Sequence, residues 1–486
     1  MVAAALLLFI DSTALFPWQG GWRPVPAPEQ HLIWKRGPWN LHAGALLLQA
    51  AWTPNWIRAP NTGPVWLGRG ASALITGGFT FSGPWLAVQL DPILWASENR
   101  FIPSPAWFRT DPRLPPGWDM RRRLDLRLRP ADEPLWRLDV GEKSLRAGPS
   151  WLGLQASSRS LWWGVGRRTS ILAAPNAPGF ARLGFEGRLR LPVSLGVLAY
   201  EYAVGRLMES RGFDRDSSND RRYWIGLRLE WRFGPLLLGA GRVAVDYWPR
   251  GGAIPLDLVL QNPLKRFIST PEEPEGPYRT ADQMASLWWE WRFPRAQLAL
   301  YGEWGKADHS WDFLDLFLEP EHASSYLFGL EKTWGSPSGP YALLQVELVH
   351  LELPRTALVR GGVPFYIHGA VRHGYTHRGR LLGSDVGVNG NLQAVRYVRI
   401  GRFHSWGLAL ERRLPDVDRF YGLRHRPSVQ APELFWIATF WIERPFNSRT
   451  RLGLLLSGMR QWNRDYRHGE DTSSLLFSTW IRYRPW

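Results

Sequence analysis

Residues 222–233 read Arg-Tyr-Trp-Ile-Gly-Leu-Arg-Leu-Glu-Trp-Arg-Phe. Tyr223, Ile225, Leu227, Leu229, Trp231 and Phe233 fall on one parity, and Arg222, Trp224, Gly226, Arg228, Glu230 and Arg232 on the other. Successive side chains of a strand point to opposite faces, so this stretch predicts one oily, aromatic face and one charged face. A strand that crosses an outer membrane has this pattern: apolar residues toward lipid, polar residues toward the lumen, aromatics near the ends.

The pattern recurs along the chain. Ala285, Leu287, Trp289, Trp291 and Phe293 oppose Ser286, Trp288, Glu290 and Arg292. Leu298, Leu300, Gly302 and Trp304 oppose Gln297, Tyr301 and Glu303. Trp406, Leu408 and Leu410 oppose Ser405, Gly407, Ala409 and Glu411, and near the end Leu475, Phe477, Thr479, Ile481 and Tyr483 oppose Ser478, Arg482 and Arg484. Asn40–Trp56 reads as a first strand pair, and Ala71–Leu90 as a hairpin turning at Ser82-Gly83-Pro84. Leu343–Leu353 changes phase midway, which predicts a bulge. The spacing of strand signals gives roughly 16 to 20 strands.

The expected fold is therefore all-β: one large antiparallel transmembrane barrel of about 18 strands. Loop and short-helix segments plug or cap its lumen. Residues 1–20 read as an atypical or clipped export signal, apolar but without a basic leading region. Residues 21–486 form the single barrel domain, with 91–134, rich in Pro and charge, as a long loop or insert. Trp311–Glu321 and Ile254–Arg266 read as helix or loop covering a rim or the lumen. No stretch supplies the ~18 consecutive apolar residues of a membrane helix.

The chain has 486 residues, 30 Trp, no Cys and a net charge of +16. Without cysteine there is no disulfide framework and no thiolate chemistry. The basic residues are almost all dispersed Arg, with no basic tail and no denser run than Arg121-Arg122-Arg123. Dispersed charge argues against nucleic acid and for an anionic envelope partner, either lipopolysaccharide or an acidic polysaccharide. For any single Arg, a solvated or lumen-facing position is the simpler reading.

Catalytic signatures are missing. Gly164-Val165-Gly166 lacks the third glycine of a dinucleotide fingerprint, and Pro175 and Pro178 follow it. There is no phosphate-binding loop, zincin helix or nucleophile elbow. Glu303 and Asp308 read as strand-end and loop carboxylates before they read as a glycosidase pair. His373 and His377 lie four apart, but the sequence offers no third ligand at matching depth, so no metal or other cofactor is expected. Trp162 and Trp163, adjacent on an expected strand, point to opposite faces, and the inward one beside Arg167 and Arg168 suits a sugar ring bearing acidic groups. Girdle aromatics are an equal reading of the pair.

The run Leu161-Trp162-Trp163-Gly164-Val165-Gly166, then Ser170, then Asn176-Ala177-Pro178-Gly179-Phe180 resembles the capsule assembly Wzi family of outer-membrane proteins. Gln261–Leu264, Leu300–Trp304 with Asp308, and Tyr375–Gly383 resemble further segments of that family, in the same order, over roughly residues 70 to 486. The aromatic terminus Trp486 is similar in kind to the signal that barrel assembly machinery reads, although Pro485 precedes it. The resemblance implies an occluded, roughly 18-stranded barrel in the outer membrane of a Gram-negative-type bacterium. It also implies a non-catalytic role in anchoring or assembling capsule-like polysaccharide at the cell surface. Candidate polysaccharide-binding residues are Trp162, Trp163, Arg167, Arg168, Asn176, His377 and Arg378. An outer-membrane porin for anionic solutes is the alternative function, and an enzyme, either a barrel lipid hydrolase or a soluble glycosidase, is a third.

Overall fold

The computed structural model describes residues 30–55, 60–102, 124–192, 195–211, 213–214, 216–249, 254, 281–307, 313–335, 339–362, 364–425 and 427–485. It is a closed antiparallel barrel of 18 strands. Sequential strands pair with one another around the wall. Closure comes where the last strand, Thr472–Tyr483, pairs with Leu46–Thr53 near the start.

The strand Arg221–Phe233 behaves as its alternation dictates. Arg222 and Trp224 are fully buried toward the interior, while Leu229 and Phe233 are exposed on the outside. Inside, Arg228 pairs with Glu201 at 3.1 Å and Glu230 at 3.8 Å, and Arg232 reaches Glu290 at 4.0 Å. Tyr223 and Ile225 face outward yet are buried, because Trp248 and Ile254 pack over them together with Val204 and Leu227. The other strands carry the same two faces: Leu287, Trp291, Leu408, Leu475 and Phe477 are exposed outside, while Ser286, Trp288, Glu290, Glu411 and Ser478 are buried inside. The outer apolar belt matches what a barrel presents to hydrocarbon.

Several local expectations are corrected. Trp39–Gly44 and Leu46–Thr53 are successive parts of one bent strand, pairing with Phe79–Ser82 and Gly70–Thr76 in nearly continuous register, rather than a hairpin pair. The expected bulge in Leu343–Leu353 is absent: Tyr341–His350 pairs in one unbroken register on both sides. Leu351 lies beyond the strand, where an inward loop buries it, so alternation no longer applies. A register shift does occur between Asp91 and Ile93. The loop expected at 91–134 starts later, because Leu86–Ser97 is a strand. The turn after Ser82 and a short helix at Phe313–Leu318 agree with expectation. The expected signal (1–20), Arg121–Arg123, Gln261–Leu264, Asp308 and Trp486 lie outside the described residues.

The two rims differ. One carries short turns, such as Gly234-Pro235 and 401–404; the other carries the long connections 158–181, 351–390 and 415–433. At one place the wall dips. Gly153–Ser157 is only five residues long and pairs with just Ser144–Ala147 of its neighbour. Past Lys143, whose carbonyl accepts from Ser158 N at 2.9 Å, the chain leaves the wall, enters the lumen and returns at Arg182. Among the described residues, the edge of Leu135–Ala147 above that point has no strand partner on this side.

Wall glycines make room for the incoming segment. A Cβ on Gly241 would lie 2.6 Å from Leu172, one on Gly226 2.6 Å from Trp163, and one on Gly305 2.7 Å from Ile171. Gly241→Val is expected to cost about 1–3 kcal/mol by overpacking and to loosen residues 158–181. Gly458→Val, whose Cβ meets nothing nearer than Leu475 at 3.5 Å, is expected to be tolerated. Heat-modifiable migration on gels, with limited proteolysis of the folded band, distinguishes the two outcomes.

Candidate functional site

Residues 158–181 enter the lumen as irregular chain, so their backbone N–H groups need partners there. The wall supplies them. Glu347 accepts from the backbone nitrogens of Arg167, Arg168 and Thr169 at 2.6, 3.1 and 2.9 Å, and from Tyr301 Oη at 3.1 Å. Glu303 accepts from the nitrogens of Ile171 and Leu172 at 3.2 and 3.3 Å, and from the hydroxyls of Ser170 and Ser286. Two carboxylates on wall strands thus hold consecutive N–H groups of one inward turn.

The guanidinium groups of that turn reach back to the wall. Arg167 pairs with Glu290 at 2.6 Å and Glu331 at 3.0 Å and lies over the Tyr301 ring. Arg168, 1 % exposed, pairs with Asp385 at 2.9 Å and Glu411 at 2.7 Å, and Arg413 shares Asp385 at 2.8 Å. Burial by itself would lower both arginines. The surrounding carboxylates outweigh it, so both are held above their ordinary pKa and stay charged.

A second inward segment, 364–390, packs on the first. Ala174 N donates to Leu382 O at 2.7 Å, Tyr366 Oη to Ile171 O at 2.7 Å, and Asn176 Nδ2 to Gly383 O at 2.6 Å. A third, from residues 60–66, meets both: Asn61 N donates to Asn176 Oδ1 at 2.9 Å, and Arg380 reaches the carbonyls of Gly63 and Asn176 while stacking on Trp66. Trp163, Ile171, Leu172, Phe180, Trp224, Tyr366 and Tyr375 fill the space between as a hydrophobic core inside the barrel.

This geometry relocates the sequence candidates. Trp162 and Trp163 are not on a strand facing opposite ways; both are buried in the lumen segment, at 7 % and 1 % exposure. Arg167, Arg168 and Asn176 are buried there with them, committed to wall carboxylates and to the other inward segments. The Pro175 and Pro178 breaks and the close glycines at 164 and 166 prevent a strand, and the segment folds inward instead. His377 is buried too: its Nδ1 accepts from Met208 N at 3.0 Å, its ring meets Phe180, and burial holds its pKa well below ordinary. Of the seven, only Arg378 is exposed. Burial, then the like charges of Arg137 and Arg206, lower its pKa, with Asp139 opposing. Arg137 and Arg206 are themselves exposed near the long-loop rim. Sequence reasoning missed Glu290, Glu331, Glu347, Asp385 and Glu411. All but Asp385 sit on the polar parity of strands, and that parity is the signal that identifies them as inward.

Below the inward segments, the short-turn half of the lumen is lined by paired charges. Arg146 meets Glu186 at 3.2 Å, and Glu443 holds Arg451 at 2.7 Å and Arg482 at 2.9 Å. The Arg232 and Arg292 side chains, both near Glu290, keep about half their surface accessible, at 45 % and 54 %. Glu303 is occupied by the inward turn, and Asp308, its partner in a glycosidase reading, lies outside the described residues. No helix of the described residues is long and apolar enough to cross a membrane, which has no bearing on a barrel.

No family model and no curated protein matches the sequence. Among solved structures, the fold is similar to Wzi of Escherichia coli, described as an outer-membrane protein involved in group 1 capsule assembly and a carbohydrate-binding β-barrel. The TM-score is 0.58 at 14% identity, over 90% of this chain and 83% of that one. OccAB1 of Acinetobacter baumannii matches at TM-score 0.43 and 10% identity, covering 94% of this chain and 100% of that one. OccK5 of Pseudomonas aeruginosa matches at 0.41 and 8%, covering 92% and 98%. These neighbours are bacterial outer-membrane barrels.

Breaking one partner of a buried charge cluster costs about 3–5 kcal/mol, because the others remain buried and unpaired. Arg168→Met is therefore expected to release the inward turn, seen as faster hydrogen exchange over residues 160–180 with the wall strands unchanged. Adding Glu411→Gln, which removes the stranded charge, is expected to restore part of the protection.

Proposed function

We propose that this chain resides in the outer membrane of a Gram-negative-type cell and holds an exported acidic polysaccharide on its long-loop face, by binding and without catalysis. The observation that carries this reading is the filled interior. Three inward segments interlock around Asn176 and are tied to the wall by Glu303 and Glu347. With the lumen occupied at that level, the rim that bears the long connections becomes the working surface. The fold shared with a carbohydrate-binding barrel supports the same reading.

On that rim the surplus positive charge has a defined place. Arg137, Arg206 and Arg378 are exposed near one another, with Asp139 as the nearby carboxylate. Guanidinium groups take carboxylates in paired hydrogen bonds, so an arginine corner suits uronic or pyruvylated sugars. The buried residues Trp162, Trp163, Arg167, Arg168, Asn176 and His377 then position the surface and do not touch the polymer.

A second reading is a channel for anionic solutes. The accessible Arg232 and Arg292 in the short-turn half of the lumen favour it. Two measurements separate the readings. Planar-bilayer conductance is expected to be small for the wild type and to rise for Arg168→Met; a large, anion-selective wild-type conductance overturns the anchoring reading. Polysaccharide pull-down with the Arg137→Ala/Arg206→Ala/Arg378→Ala variant is expected to lose about tenfold or more of binding to an acidic polymer, since each lost charge-assisted contact is worth ~1.5 kcal/mol or more. Binding to neutral dextran should be unaffected. Cell-surface polysaccharide that is retained unchanged after gene deletion also overturns it.

A further inference from the structure

The connection between Val197–Met208 and Arg221–Phe233 reads Glu209, Ser210, Arg211, Gly212, Phe213, Asp214, Arg215, Asp216, Ser217, Ser218, Asn219, Asp220. It lies on the long-loop rim, beside the inward segment that carries His373. One side-chain donor atom from each of Glu209, Asp214 and His373 falls within 4.8 Å of the other two. His373 Nε2 is 2.6 Å from Glu209 Oε2, and the imidazole, 0 % exposed, is walled by Phe213 and Tyr247 at ring separations of 4.7 and 5.8 Å. The Glu209 side chain keeps 8 % of its surface accessible and Asp214 is partly exposed, which leaves a way in from solvent on the Asp214 side.

Three further features define the surroundings of this cluster. First, no Lys or Arg among the described residues forms an ion pair with Glu209 or Asp214; Arg222, on the neighbouring wall strand, acts on Glu209 only at longer range and is hydrogen-bonded to the carbonyls of Gly374 and Thr376. Secondly, His373 Nδ1 is buried without a hydrogen-bond partner, so the ring is committed to the cluster through Nε2 alone. Thirdly, Asn219 is 9 % exposed and sets its amide against two carboxylates. Its Nδ2 lies 3.2 Å from Asp214 Oδ2 and 3.3 Å from Asp216 Oδ2, while Oδ1 is buried and unpartnered.

We propose that Glu209, Asp214 and His373 form a divalent-cation site whose remaining position is open to solvent on the Asp214 side. Donors that share an ion at about 2.0–2.2 Å stand roughly 3–4 Å apart; here His373 and Glu209 stand at 2.6 Å, and all three donor atoms lie within 4.8 Å of one another. A mixed set of one imidazole and two carboxylates suits a first-row ion such as Zn2+ or Mn2+, whereas Ca2+ prefers oxygen alone. The ion fastens the rim loop to the inward segment 364–390 and so ties the outer surface to the interior packing. This inference stands independently of the polysaccharide reading.

The test uses the full chain, purified in detergent, stripped with EDTA and dialysed free of chelator. Titration calorimetry and elemental analysis with ZnCl2, MnCl2 and CaCl2 follow. About one Zn2+ or Mn2+ per chain is expected. Asp214→Asn, on the solvent side, is expected to weaken binding at least about tenfold while keeping heat-modifiable migration, which shows that the barrel still folds. His373→Gln is expected to abolish binding. Absence of stoichiometric Zn2+ or Mn2+ binding by the wild type, or unchanged binding by Asp214→Asn, overturns the site. Binding of Ca2+ alone overturns the assignment to a first-row ion.

Discussion

The carboxylate of Glu347 accepts three successive backbone N–H groups from Arg167, Arg168 and Thr169, and the rest of the interior is arranged around that contact. Irregular chain in a water-poor space has to satisfy its own polar groups or borrow partners, since each unpaired buried group costs free energy comparable to a lost hydrogen bond. The wall lends Glu347 and Glu303 for the amides. The inward turn in return supplies Arg167 and Arg168 to Glu290, Glu331, Asp385 and Glu411. Neither set is tolerable alone in a low-dielectric setting, so each fixes the other. The lumen is thereby a folded core with its own hydrophobic cluster.

The same constraint explains where the charge of the chain goes. A net charge of +16 invites a search for a single basic tract, and the sequence has none. Many arginines are spent against inward glutamates, as Arg228 is against Glu201 and Arg451 and Arg482 are against Glu443. The arginines that stay accessible include Arg137, Arg206 and Arg378 near the long-loop rim and Arg232 and Arg292 in the short-turn half of the lumen.

Strand identity and facing were legible wherever one residue in two is apolar, as in 222–233, 285–293 and 475–483, because a wall between lipid and a polar interior imposes that period. The fate of Trp162–Phe180 was not. Two adjacent tryptophans satisfy a rim strand and a buried turn equally well. The deciding contacts are distant in sequence: Asn61 to Asn176, Arg167 to Glu331, Asn176 to Gly383. Local patterning carries no record of such partners. The inward glutamates could have been read as a set from their parity, and the doublet Arg167-Arg168 as their complement. The phase change near Leu351 misled for a related reason: alternation ends with the strand at His350, and burial beyond it follows the inward loop.

The dip in the wall beside Gly153–Ser157 has a topological consequence. Residues 158–181 leave the wall at one strand and rejoin it at the next, so this part of the filling is a loop with no free end. A plug built from a chain terminus can be pulled out along the pore axis like a thread. A segment anchored at both ends in neighbouring staves cannot. It can only swing about its two roots, and those roots share the lowest stretch of the wall. Any displacement of this segment is therefore hinged at those two roots, whereas its partner segment 364–390 is rooted between Tyr341–His350 and Asn391–Ile400.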